Sequence, residues 1–323
     1  MSDEIFKEIR SAVVQAGLKV CWAQWSALGA YAAPEQTRRP ISIVDPEALI
    51  LLSLGLEKEE RRMGDMLFWW ASVGSRLTSV QRIRTLAKDF PEDVQHSVGR
   101  YASLASAAGD RRWNRLAAEV GPGPRHRDRG LKGPDVLNLT EASTLILRLR
   151  AAFGVGSKAD TLAFLLGIGG SWVSVSVISE ATGYSGTAIR AAARDMALGR
   201  LIRETEDRPA LYFVPPKPWS ELLEIQRYGS SHRGDLAMPP WRFWSDTFGF
   251  LLRVANWAER AMESEEALEV VASRARDIVL DCVHTFDLNG IQVPDPRRYR
   301  GTEFLFGLRD TVRVLCDWLE DQA

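Results

Sequence analysis

Apolar residues recur along this chain mostly at helical spacing. Ile5, Ile9, Ala12, Val13, Ala16 and Val20 form one stripe and predict a long helix over residues 1–31, with Trp22 and Trp25 near its end. Asp45-Pro46-Glu47 is a strong helix start, and the segment it opens, Ala48 to Leu56, is so uniformly apolar that it must be buried. Further helices are predicted over 61–73, 79–86, 139–153 and 158–168. Past residue 241 the pattern gives three more. One follows Trp241-Arg242-Phe243-Trp244, one carries Leu268, Val271, Ala272, Ala275, Ile278, Val279 and Cys282 on a face, and one spans 301–317. The expected fold class is therefore mainly α.

The stretch from Trp172 to Val214 carries the most specific pattern. Ser174 or Ser176 can N-cap a short helix ending at Thr182, and Gly183 supplies a left-handed terminator. Ser185 caps a second helix to about Leu198, in which Ile189, Ala192, Ala193 and Met196 make one apolar face. At about 100° per residue, Thr187, Arg190, Ala191 and Arg194 point the other way. The period then changes. Leu201 to Thr205 and Ala210 to Val214 are β-prone runs around Glu206-Asp207-Arg208-Pro209, which predicts a two-stranded hairpin.

Helix, glycine turn, helix and hairpin in this order resemble the winged helix-turn-helix of bacterial transcription regulators, over residues 157–214 of the 323. The resemblance implies binding to double-stranded DNA, with the second helix as recognition helix and the hairpin as wing. It assigns contacts to Tyr184, Ser185, Thr187, Arg190, Ala191, Arg194, Arg203 and Arg208. Arg190 and Arg194 would reach guanine edges or phosphates, Ser185 and Thr187 the backbone, and Arg208 an adjacent minor groove or phosphate. It further implies a homodimeric repressor. A protein-interaction scaffold, such as an antitoxin-like partner, is the competing reading of the same pattern.

The chain divides on composition into a helical N-terminal domain (1–120), a basic Gly/Pro linker (121–137), the central module (138–215) and a helical C-terminal region (216–323). That last region would serve dimerisation or hold an effector. Arg125, Arg127, Arg129 and Lys132 in the linker are either a phosphate-tracking arm or ordinary solvated charges.

Net charge is −1, so nucleic-acid affinity must come from a local patch. Between Lys158 and Val214 six cations (Lys158, Arg190, Arg194, Arg200, Arg203, Arg208) face six acids (Asp160, Glu180, Asp195, Glu204, Glu206, Asp207). Binding therefore requires the two signs to segregate. Met1-Ser2-Asp3-Glu4 is acidic where a signal peptide is basic, and no apolar run reaches the roughly 18 residues of a membrane span, so a cytoplasmic protein without membrane partners is expected.

Chemistry is sparse. Cys21, Cys282 and Cys316 lie far apart, the four histidines are scattered, and no nucleotide-binding or hydrolase motif occurs, so no metal, cofactor or enzymatic activity is expected. One near miss resembles minimal nucleotidyltransferases: Tyr228-Gly229-Ser230-Ser231-His232-Arg233-Gly234-Asp235 followed by Ser245-Asp246. Phe248 stands where that family needs its second carboxylate.

Overall fold

The computed structural model describes residues 2–30, 39–119, 133–137, 139–225 and 238–322. Among these it is mainly helical, with fifteen α-helices and one small antiparallel sheet. The uniformly apolar segment behaves as its composition requires. It forms α2 (Pro46–Leu56), which has no solvent face, and Asp45 caps it by accepting a hydrogen bond from the Ala48 amide at 3.1 Å. Around α2 pack α1 (Ser2–Ala27), α3 (Arg62–Val73), α4 (Val80–Leu86) and α5 (Glu92–Ala107), and the short α6 (Asn114–Ala118) lies on α5. Trp25 meets Trp69 and Trp70 edge-on at 6.3 and 5.7 Å beside α2, and all three rings are buried in the core.

The second part of the chain runs through α7 (Leu145–Phe153), α8 (Ser157–Gly167), β1 (Val173–Ser174), α9 (Val175–Thr182), α10 (Gly186–Leu198), β2 (Arg203–Glu204), β3 (Leu211–Phe213) and α11 (Pro216–Leu222). The last part comprises α12 (Trp244–Glu263), α13 (Leu268–Leu280), α14 (Val283–Asn289) and α15 (Phe304–Gln322). Composition suggested separate N- and C-terminal units, but the helices of the two share a core. α12 and α15 pack along α1, Phe6 meets Trp257 at 5.4 Å, and the Trp244 indole donates to the Ile43 carbonyl at 2.9 Å. The physical reason is the second apolar face on α1, which α2 alone does not cover.

Asp246 stands in the first turn of α12. Burial pushes Asp246 up to about 6, the carboxylates of Asp89 and Glu180 add to the rise, and Arg253 opposes it. The folded value lies above that of an unfolded aspartate, near 3.9. Asp246 therefore favours the fold fully below about pH 4, and that contribution is lost as pH rises through about 6. Asp246→Asn should raise unfolding stability by on the order of 2 kcal/mol at pH 7.5 and leave it nearly unchanged at pH 4. Urea titrations at both pH values check this, and a difference that does not vary with pH would contradict it.

Candidate nucleic-acid interface

The candidate surface is built on three short helices that cover one another. α8, α9 and α10 pack pairwise, with Leu162, Leu165, Leu166, Ile178, Ala181, Ile189, Ala192, Ala193 and Met196 buried between them. Of the two possible caps for α9 the chain uses Ser174, which accepts from the Val177 amide at 3.5 Å. α9 ends at Gly183, which is left-handed (φ 72°, ψ 13°) and whose amide returns to the Ser179 carbonyl at 2.9 Å. A Cβ at this position would stand 3.1 Å from Leu86 Cδ2, so glycine serves both the backbone angle and the close approach of α4.

Tyr184 follows, and its expected place at the DNA surface is corrected. Its ring is buried at 5% exposure and its hydroxyl donates to Ser79 Oγ at 3.3 Å. The left-handed residue before it turns this large apolar ring inward, where burial is worth more than exposure, so Tyr184 pins the turn to α4. Ser185 caps α10 by accepting from the Ala188 amide at 3.3 Å. Thr187, Arg190, Ala191 and Arg194 are exposed on the face of α10 opposite its buried residues.

A three-stranded sheet stands beside these helices in the order β1–β3–β2, all antiparallel. Val173 pairs with Tyr212, and Arg203 with Phe213. Only the β2–β3 hairpin was expected from the pattern. β1 is two residues long, too short to show a period, and exists because β3 offers it a free edge. Arg203 lies over the Phe213 ring at 5.7 Å, and Trp172, 44% exposed, stacks on the same ring at 5.0 Å with a 24° tilt. Arg208 is exposed in the loop between β2 and β3.

The acids of this module are only partly separated from its cations, since one of the six is buried and two more are exposed but paired. Asp160 is buried, Asp195 pairs with Lys158 at 2.7 Å, and Glu180 lies 3.2 Å from His284 on α14. The remaining acids, Glu204, Glu206 and Asp207, are all exposed on the hairpin. The exposed side of α10 carries Arg190 and Arg194, with Asp195 beside them engaged by Lys158. Arg125, Arg127, Arg129 and Lys132 lie outside the described residues.

What fixes this module to the rest of the protein is a buried cluster of five charges. Arg82 donates to Asp45 and Glu47 at 2.5–2.6 Å, and its Nε donates to the Thr182 carbonyl, at the end of α9, at 2.7 Å. Arg150 on α7 bridges Glu47 to Asp160 on α8. Burial alone would raise the Asp45 pKa, but the adjacent Arg82 guanidinium outweighs it and holds the carboxyl below its ordinary value. The pattern of hydrophobic positions does not reveal this cluster. Its one sequence signal is Asp45 and Glu47 opening a helix with no polar face, since carboxylates buried there require buried cations.

Comparison with protein-family models, curated proteins and solved structures returns no match. The site therefore rests on its own geometry. Among the described residues no group of three or more His, Cys, Asp or Glu side chains is arranged to hold a metal ion, and no helix is long and apolar enough to cross a membrane. Ser245 and Asp246, the pair that resembled a nucleotidyltransferase, lie on α12, and Phe248 is buried in the core. Residues 228–235 of that near miss lie outside the described residues.

Proposed function

We propose that this protein is a cytoplasmic, DNA-binding transcription repressor in which residues 157–214 act as a winged helix-turn-helix. The observation that carries this reading is the division of α10. Its apolar side is sealed against α8 and α9, and its other side presents Thr187, Arg190, Ala191 and Arg194. A major groove admits such a helix, with guanidinium groups reading guanine O6 and N7 and a small residue allowing close approach. Ser185 and Thr187 stand near the helix N-terminus, where backbone phosphates are favoured, and Arg203 and Arg208 on the hairpin extend the contact.

The test is fluorescence anisotropy with duplexes selected from random sequence, at several salt concentrations. Selected duplexes should bind tightly, with log affinity falling steeply against log salt. No selection, or binding indifferent to salt, would remove the reading.

The same proposal calls for two copies, because a two-fold operator is read by recognition helices about 34 Å apart. Sedimentation equilibrium at micromolar concentration should show a homodimer. Monomer alone would contradict this part.

A second reading, a protein-interaction scaffold, has its own support in the exposed Trp172–Phe213 stack and in Leu198, 85% exposed at the end of α10. It takes precedence if no duplex is selected.

A further inference from the structure

A cavity of about 710 Å³ opens between the C-terminal half of α12, one face of α13 and the N-terminus of α5. This is the size of a small-molecule pocket. Arg253, Asn256, Trp257 and Arg260 recur at i, i+3, i+4 and i+7, so they form one stripe of α12 facing it. Trp257, Ala261 and Val271 give this lining its apolar part, and Asn256 adds a polar group between the two arginines. The Trp257 indole N–H is spent on the Val271 carbonyl at 3.0 Å, which leaves its ring as a hydrocarbon wall.

The two arginines of the stripe have unmet capacity. Arg253 Nη1 reaches Asp281 at only 3.3 Å, Nη2 donates to Cys282 Sγ at 2.8 Å, and its buried Nε has no hydrogen-bond partner among the described residues. Burial pushes the Cys282 thiol up to about 11, so that partner is neutral and cancels no charge. Arg260 forms no ion pair among the described residues. The third arginine is different, since Glu266 holds Arg274 at 2.5 and 2.8 Å. Glu92 and Asp277 also line the cavity and are exposed, and their charges disfavour a polyanion there.

We infer that this cavity binds a small amphipathic organic anion, with its carboxylate or phosphate held by Arg253 and Arg260 and its apolar body against Trp257, Ala261 and Val271. A buried guanidinium N–H without an acceptor is costly, and an oxyanion removes that cost with a charge-assisted hydrogen bond. The backbone positions of the two arginines are about 10 Å apart along α12, within the combined reach of two arginine side chains, so one oxyanion can meet both guanidinium groups while the apolar body lies on Trp257. The site is independent of the DNA-binding proposal, and its test uses no DNA.

The full-length protein is titrated with 1-anilinonaphthalene-8-sulfonate, an aromatic sulfonate, while dye fluorescence is followed. Saturable binding of one dye per chain is expected. Arg260→Met, which keeps the apolar stem on an exposed position, should weaken it about tenfold, and Arg253→Met at least as much. Ala261→Trp, which fills the floor without changing charge, should abolish it, with far-ultraviolet circular dichroism showing each variant folded. Displacement by 4-phenylbutyrate or by phenyl phosphate tells carboxylate from phosphate preference, and phenethylamine should displace nothing. Binding that does not saturate, is unchanged in Arg260→Met and Ala261→Trp, or is displaced by the amine would overturn the assignment.

Discussion

Replacing Arg150 with methionine lowers unfolding stability by about 3–5 kcal/mol, the expected cost of removing one partner from a buried ion pair. Every N–H of this guanidinium is committed. Nε and Nη2 donate to Asp160 at 2.7 Å, Nη1 donates to Glu47 at 2.7 Å and to the Leu77 carbonyl at 2.8 Å, and Nη2 also reaches Glu47 at 3.0 Å. The Glu47 and Asp160 side chains are wholly buried. Methionine preserves most of the stem volume but leaves two carboxylates in the core with Arg82 as their nearest cation. A domain stable by roughly 5–15 kcal/mol gives up a large share of that margin.

Arg150→Lys should fare little better, because one ammonium with three donors cannot serve acceptors arranged for a planar fork. Since the cluster joins α2 and α4 to α7, α8 and the end of α9, the destabilisation should appear at once in the module and in the N-terminal helices. Urea denaturation followed by tryptophan fluorescence and by circular dichroism measures it. A change under about 1 kcal/mol for Arg150→Met would show that the cluster is not what ties the module down.

The second large effect belongs to the proposed interface. Arg190→Ala and Arg194→Ala should each cost about 1–3 kcal/mol in binding to a selected duplex and relax preference at one base pair per half-site. Neither should unfold the protein, because both side chains are exposed and the buried face of α10 is untouched. Neutralising Arg125, Arg127 and Arg129 should act differently. It should weaken selected and scrambled duplexes alike and flatten the salt slope by about one unit for each phosphate no longer neutralised. Anisotropy on both duplexes at several salt concentrations separates the two kinds of effect. Folded Arg190 and Arg194 variants that bind the selected duplex like wild type would refute the recognition-helix assignment and leave the scaffold reading in front.

Most helices and the outward face of α10 are legible in the sequence. α5 is absent from the predicted helices although its buried Val94, Val98, Tyr101, Ala102 and Ala105 stand at helical spacing, with Gln95, His96 and Ser97 on the other side. The cap at Ser185, the left-handed Gly183 and the α10 faces are written within three or four residues of one another, and short-range rules of hydrogen bonding and helical period suffice to read them. Asp45 as cap of α2 is of the same kind.

The sequence by itself thus determined the mainly helical class, the two capped helices around Gly183, and the side of α10 that meets solvent. Only the tertiary structure decided that Tyr184 turns inward, that β1 joins β3, and that α1 shares its core with α12 and α15. It also decided that Asp160 is buried on Arg150 while Asp195 pairs with Lys158 at the surface. The reason is distance along the chain. Arg82 meets the Thr182 carbonyl across 100 positions and Arg150 meets Glu47 across 103. Pairings that long leave no period in the sequence, and they form only where the packing of apolar faces brings the partners together.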